Sequence, residues 1–353
     1  MDEYIVNLKK ELIKKEKSIE YIDRCCKYAK KLLDNGKPII FDATHVKIIL
    51  KMEGIKRNGY HYFNAGNIYK QRLIEAPSVN LKARQRWIAK NILENEPLGD
   101  WIHGYVKGKS IITNALVHAG KKRILHMDIK NFFQSITDEM VENEFAKMGY
   151  SESAAKELTS ICTFSAEMVY WQEEEKLEDI SSSQKYLPHG APSSPWLSNL
   201  VFQNIDLQIL DILKNKNIQY TRYADDLMFS SNSDKLVWLK DEIEKLVSKN
   251  GFAINVGKTK LFEEKDQKLI MGLNLTNGIK IQNSYKRKLR QEIYYCKKYG
   301  IENHLQKVGA SNRSNFVAYI YGKVYFVKMV EPELGKELLE NLDQIFQEEP
   351  LFY

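Results

Sequence analysis

Between Tyr220 and Ser230 the chain reads YTRYADDLMFS, two strand-like runs separated by a pair of adjacent aspartates. Ile218, Tyr220, Tyr223, Leu227, Met228 and Phe229 look like partners for a sheet, whereas aspartate is depleted in strands and favoured in turns. Ala224-Asp225-Asp226 therefore reads as the tip of a β-hairpin. Two roles for the Asp pair stay open at this level: a structural turn, or a charged tip that performs chemistry.

The hairpin sits in a chain with sheet elements in its middle and helices at both ends. Apolar positions at helical spacing (Ile5, Leu8, Leu12, Ile19, Ile22, Ala29, Leu33) run to the stop signals Gly36 and Pro38. They predict a helical N-terminal extension over residues 1–55. From Tyr60 to Pro77 the pattern shortens to strands with a turn at Gly66, and a helix follows across Leu81–Leu93. Ile124 to Met127 form a short apolar run ending at Asp128, as a buried strand would. Ser181-Ser182-Ser183 reads as a loop. Helices are expected over Pro195–Leu213 and over Asp234–Asn250, the second closed by Gly251. Short strands follow at Phe252–Val256, Leu269–Leu275 and Ile279–Ile281, then a helical segment broken at Pro332.

Composition sets the limits. With 353 residues, 43% hydrophobic and 28% charged, the chain can form one large multi-lobed domain or two to three smaller ones. Net charge is +7 and the pI about 8.9, with Lys and Arg interleaved among Tyr and Phe. That mixture suits nucleic acid, where cations meet phosphates and rings stack on bases. It equally describes a basic protein whose lysines coat its helices. No segment approaches the roughly 20 apolar residues of a membrane span, and MDEYIVNLKKELIKKEK is too charged for a secretory signal. Cys25, Cys26, Cys162 and Cys296 lack zinc-ligand spacing and read as reduced thiols, so a cytoplasmic protein without membrane contact is expected.

A third carboxylate bears on the hairpin. Asp128, in HMDIKNFFQSI, would stand beside Asp225 if the two strands are neighbours. Carboxylates so gathered repel and raise one another's pKa unless a cation joins them. Hard oxygen donors suit Mg²⁺, and two such ions about 3.5–4 Å apart can hold both oxygens of a phosphoryl displacement. The alternative is that Asp128 caps a helix over Asn131 to Ile136.

Six blocks in order carry a resemblance to reverse transcriptases. TRYADDLMFS resembles their signature hairpin and HMDIKNFFQSI their first metal-binding strand, with LPHGAPSSPWLSNLVFQNID between. Upstream, RLIEAPSVNLKARQRWIAKNIL is similar to the fingers segment and WIHGYVKGKSIITN to the next block. Downstream, GFAINVGKTKLF and LIMGLNLTNGIKI resemble the strand-and-lysine segment and the primer grip. Agreement runs from about Tyr60 to Ile281. Within the family the chain most resembles the bacterial retron group, because Asn114-Ala115-Leu116-Val117-His118 fits that group's Asn-Ala-x-x-His element.

The resemblance implies an α+β right-hand polymerase: fingers and palm over residues 56–282, the palm an antiparallel sheet with helices, then a helical thumb over 283–353. It assigns Asp128, Asp225 and Asp226 to catalysis and, with the Ile129 carbonyl, to two Mg²⁺ ions. Phe133 falls where the family places an aromatic that crowds the sugar 2′ position; core packing is its alternative. Arg72, with Lys70, would grip the incoming triphosphate, a task suited to a planar fork of donors. Lys258 would approach the same phosphates. His189-Gly190 stand where the family often has Gln-Gly, and His can still donate to a nucleotide. Met271 and Gly272 would form the primer grip, where retron enzymes commonly show Val-Thr-Gly around Ile270-Met271-Gly272. Asn114, His118, Lys107 and Lys109 are candidates for RNA contact; His118 could instead satisfy a backbone group, and the two lysines could simply face solvent. Gly108-Lys109-Ser110 is no P-loop, because the required earlier glycine is His103.

The activity implied is RNA-templated synthesis of DNA from deoxynucleoside triphosphates. The template would be a cognate structured non-coding RNA primed from a guanosine 2′-hydroxyl, giving branched multicopy single-stranded DNA within an anti-phage defence module. No stretch resembles a nuclease fusion or an RNase H domain, so an effector on a separate polypeptide is expected. An intron-type or abortive-infection polymerase, and a non-catalytic RNA-binding scaffold, are the alternatives.

Overall fold

A computed structural model describes residues 2–52, 59–67, 70–164, 185–309 and 315–348. The expected serine loop at 181–183 lies outside them. The N-terminal helical spacing resolves into α1 (Asp2–Lys14) and α2 (Ile19–Asp34). Glu16 breaks the run with a left-handed φ of 54°, and the Ser18 hydroxyl restarts it by accepting the Tyr21 N–H. α3 (Ala43–Ile49), capped by Asp42, completes the extension and packs on α7 (Glu152–Cys162).

β1 (Tyr60–Asn67) and β2 (Lys70–Pro77) form a separate two-stranded antiparallel ribbon. Gly66 lies within β1, paired with Gln71, and does not form the expected turn. α4 (Val79–Ile88) then runs into one π-helical turn, Ala89–Leu93.

The central sheet takes β3 (Arg123–Lys130), β4 (Gln219–Tyr223), β5 (Asp226–Ser231), β6 (Ala253–Ile254) and β7 (Lys260–Phe262), in the order β4-β5-β3-β6 with β7 also on β3. Its two faces divide the molecule, because strand side chains alternate. Leu125, Met127, Ile129, Leu227 and Phe229 enter one core. That core includes residues of α6 (Asp138–Lys147), α7, α8 (Ser194–Leu213) and α9 (Val237–Lys249). Ile124 and Met228 enter the other, with Ala115 of α5 (Ile111–His118).

That second core continues into a small meander, β8 (Leu269–Ile270), β9 (Leu273–Asn274) and β10 (Lys280–Ile281). It ends in four helices: α10 (Asn283–Tyr299), α11 (Ile301–Lys307), α12 (Phe316–Val330) and α13 (Pro332–Glu348). The break expected at Pro332 falls between α12 and α13. Leu269–Leu275 is two strands rather than one, joined by a Met271–Gly272 turn. The helix over Asn131 to Ile136 that Asp128 would cap in the alternative reading does not form: β3 continues to Lys130, and Asn131, at φ 50°, opens a run of turns. Asp128 is therefore a strand residue and not a cap. Ribbon, central sheet and C-terminal helices follow one another in the order that the resemblance to reverse transcriptases implies for fingers, palm and thumb.

Candidate active site at the hairpin tip

β4 and β5 meet at Tyr223 opposite Asp226, leaving Ala224 and Asp225 as a two-residue turn. Such turns match strand twist by placing their first central residue at positive φ, where Gly or Asn is usual. Here it is Ala224, at φ 55°. Surrounding contacts hold that strained geometry. The Arg222 N–H donates to the Trp101 carbonyl (2.8 Å) and the His103 N–H to the Arg222 carbonyl (2.8 Å). Gly104 lies against the turn so closely that a Cβ there would stand 2.4 Å from the Ala224 nitrogen. Asn199 fixes Gly104 by donating from its amide to the Gly104 carbonyl at 2.9 Å.

The register of β3 on β5 sets Asp128 directly opposite Asp226. Like charges so placed destabilise a sheet. Two backbone bonds hold the approach: the Ile129 N–H donates to the Asp225 carbonyl (2.9 Å) and the Asn255 N–H to the Asp128 carbonyl (2.7 Å). Each outer carboxylate has a basic partner. Lys258 Nζ lies 2.8 and 2.7 Å from the two oxygens of Asp128, and His126 Nε2 lies 2.6 Å from Asp226 Oδ1. Burial, then Asp226 and Asp128, push the Asp225 carboxyl above the ordinary aspartate range, and a backbone hydrogen bond and, less, Lys258 offset this only in part.

Asp128, Ile129, Asp225 and Lys258 line a cavity of about 370 Å³ together with Phe133, His189, Tyr105, Gln134 and Asn255. The structure thus gathers at one cavity residues far apart in sequence. Asp226 is not among the lining residues; it is held by His126. Among the described residues no three His, Cys, Asp or Glu side chains close on a single point. The donor set nevertheless fits a hard divalent cation in kind and charge: carboxylate oxygens in mutual repulsion, one of them with its charged form disfavoured.

Other expected residues fall in several places. The Phe133 ring stands edge-on to His189 at 4.9 Å, while Phe132 is buried in the core. The His189 N–H donates to Glu75 Oε2 (2.6 Å), and its Nδ1 pairs with the Gln134 amide (2.9 Å). Gly190, at φ 114°, approaches the ribbon: a Cβ would lie 3.1 Å from the Glu75 carbonyl oxygen. Lys70 and Arg72 lie on β2, and their side chains are outside the described part. Met271 and Gly272, at φ 51° and 80°, occupy the β8–β9 turn and do not line the cavity.

Lys107 is exposed, and Lys109 donates to the Asp100 carbonyl at 2.6 Å. Asn114 and His118 are both fully buried, with polar atoms committed to β4 and β5. In this structure neither presents exposed surface with which to touch RNA. His118 pairs with the strand hydroxyls of Ser230 and Thr221, a different outcome from the backbone group allowed for it, and Asn114 pairs with the Thr221 hydroxyl and two methionine sulfurs.

Sequence reasoning missed Glu75, His126 and Tyr105. Glu75 is 2% exposed, and burial pushes its carboxyl up while it accepts from His189 and Tyr186. His126 lies two residues before Asp128, hence on the same strand face, a spacing that could have flagged it. Tyr105 holds a left-handed φ of 61° at the cavity wall, and nothing in its local sequence announces that.

The family model for "Reverse transcriptase (RNA-dependent DNA polymerase)" matches residues 56–275, and the chain belongs to that family. Retron enzymes are among its similar relatives. The retron Mx162 reverse transcriptase of Myxococcus xanthus is 30% identical over 78% of this chain and 58% of its own length. The retron Ec86 reverse transcriptase of Escherichia coli is 28% identical over 89% of each chain. The retron Mx65 reverse transcriptase of Myxococcus xanthus is 28% identical over 76% of this chain and 60% of its own. This chain thus spans about three fifths of the two Myxococcus relatives. Among solved structures, a Candida albicans telomerase overlaps 86% of this chain with a TM-score of 0.42 at 11% identity. No described helix is long and apolar enough to cross a membrane.

Proposed function

We propose that the chain is an RNA-directed DNA polymerase of the retron type, acting at the hairpin tip. The observation that carries the reading is the register opposing Asp128 to Asp226 with Asp225 in the turn between them. In the reaction a hydroxyl oxygen attacks the α-phosphorus of a deoxynucleoside triphosphate. The new O–P bond forms as the bond to pyrophosphate breaks, and the hydroxyl proton is lost. Asp128, Asp225, Asp226 and the Ile129 carbonyl would hold two Mg²⁺ ions. Bound there, such ions supply charge neutralisation at the phosphates and ease loss of the hydroxyl proton.

The remaining roles belong to this chain's own groups. Phe133 would exclude a 2′-hydroxyl, and His189 would donate to the nucleotide beside Gly190. Arg72, Lys70 and Lys258 would meet the triphosphate, and Met271-Gly272 the primer. Residues 1–55, 56–282 and 283–353 serve as extension, fingers with palm, and thumb.

The template would be a cognate structured non-coding RNA, primed from a guanosine 2′-hydroxyl, yielding branched single-stranded DNA. A cytoplasmic anti-phage role with a separate effector protein completes the proposal, and a pull-down with the RNA co-expressed should recover that second protein. The functional test is to express the chain, extract the copurifying nucleic acid, and sequence it before and after RNase. A discrete single-stranded DNA joined to one structured RNA is expected. Heterogeneous RNA with no attached DNA would overturn the retron reading.

A further inference from the structure

Asn114 and His118 leave one question open: what do fully buried polar side chains do beneath the hairpin? Their bonds form a chain with a single consistent direction of donation. The Thr221 hydroxyl donates to Asn114 Oδ1 at 2.5 Å, so toward His118 Nε2, at 2.7 Å, it must accept. His118 then carries its proton on Nε2, and Nδ1 accepts from the Ser230 hydroxyl at 2.7 Å. The ring is neutral, since burial holds its pKa down at about 3. At the far end the Asn114 amide directs its N–H groups at two sulfurs, Met228 Sδ at 3.0 Å and Met271 Sδ at 3.6 Å.

Those partners lie on different elements. Thr221 is in β4, Met228 and Ser230 are in β5, and Met271 is in the β8–β9 turn. Met271 holds φ 51° and Gly272 φ 80°, a conformation a side-chain-bearing residue adopts only when its surroundings enforce it. The network lies against the apolar core formed by Ala115, Ile124, Met228, Ile270 and Leu273, where water does not compete for its bonds.

We infer that Asn114 is a positioning residue: through Thr221, Met228 and Met271 it braces the primer-grip turn against the carboxylate hairpin, and it makes no contact with RNA. The inference rests on the polymerase reading for its consequence, but the brace itself is a property of the fold. Separate readouts follow for each.

The test uses the full chain with Asn114→Leu, and Thr221→Val as a gentler variant that removes only the central hydroxyl. In hydrogen exchange, amides of Gly272–Asn274 should exchange about tenfold faster in both variants, with β3 amides unchanged. In primer extension on an RNA template, KM for the annealed primer should rise about tenfold, while KM for the nucleotide and affinity for the RNA template stay within about twofold. Pairing Asn114→Leu with Met271→Ala should give less than the sum of their effects. Unchanged exchange at the turn in both variants would overturn the brace. A loss of RNA affinity with primer KM unchanged would return Asn114 to RNA reading. A wild-type chain that adds nucleotides neither to the annealed primer nor to its copurifying RNA would sink the polymerase reading alone, because the exchange result would still decide the brace.

Discussion

The β4–β5 hairpin meets carboxylate charge at two places, Asp206 of α8 at its base and the Asp128–Asp225–Asp226 group at its tip, and the two are treated oppositely. At its base Asp206 and Arg222 are both completely buried. The guanidinium bonds Asp206 through Nε (3.0 and 3.1 Å) and Nη2 (2.8 Å), and Asn199 and the Ala224 carbonyl through Nη1 (2.9 and 3.3 Å). The Tyr220 hydroxyl donates to Asp206 at 2.7 Å, and Phe202 underlies the guanidinium at 5.0 Å. Three residues beyond Arg222, Asp225 and Asp226 join Asp128, and among the described residues two basic side chains pair with these three carboxylates. A charge that only holds the fold is matched donor for acceptor. Charge left in surplus at a cavity, with a carboxyl pushed upward, is what the proposed cation site calls for.

Asp225→Asn sharpens that contrast most. RNA-templated nucleotide incorporation should fall by about 10³-fold or more, in line with losing a principal electrostatic contact. The melting temperature should stay level or rise, because the upward-shifted carboxyl makes its charge unfavourable at neutral pH. A variant that loses both activity and stability would show the surplus to be structural.

Asp206→Ala should do the reverse. It leaves Arg222 buried and uncompensated, costing about 3–5 kcal/mol in urea unfolding. The double change to Asp206→Leu with Arg222→Met should cost less than either single one. If it does not, the buried pair supports the hairpin by more than neutralisation.

A third prediction uses pH. His118 is held neutral, with its pKa lowered from 6.5 to about 3 by burial. As pH falls below about 6.5, the unfolded chain takes up a proton that the folded one refuses. Stability should drop by about 1.4 kcal/mol per pH unit from this group alone, and is fully present above that pH. His103, lowered to about 4, acts in the same direction. Urea midpoints at pH 7 and pH 5 should show a smaller difference in His118→Gln than in the unsubstituted chain.

The smallest expected effect concerns the cavity wall. Phe133→Ala should reduce discrimination against ribonucleotides by about tenfold, read as the ratio of kcat/KM values, with little change in melting temperature. An unchanged ratio would make the ring core packing after all.

Much of the site was legible because its signals are local. The turn at Ala224-Asp225 follows from aspartate between β-prone runs, and Asp128 from an apolar run that ends in charge. Where the reading slipped, a distant partner had outvoted local preference. Gly66 continues a strand because its ribbon partner Gln71 extends the pairing. The apolar run Leu269–Leu275 folds back on itself at Met271 and Gly272, without the Asn-Gly or Asp-Gly pair that marks such turns. Asn114 and His118 look like exposed readers of nucleic acid until Thr221 and Ser230, more than a hundred residues on, supply their bonds.

By itself the amino-acid sequence determined the hairpin, its acidic tip, the strand carrying Asp128 and the helical ends, since turn chemistry and hydrophobic period act over a few residues. Only the tertiary structure decided which carboxylate faces which, that Lys258 and His126 answer two of them, and that the Asn114 motif points inward. Those outcomes depend on strand register and burial, and both are set by contacts between segments far apart along the chain.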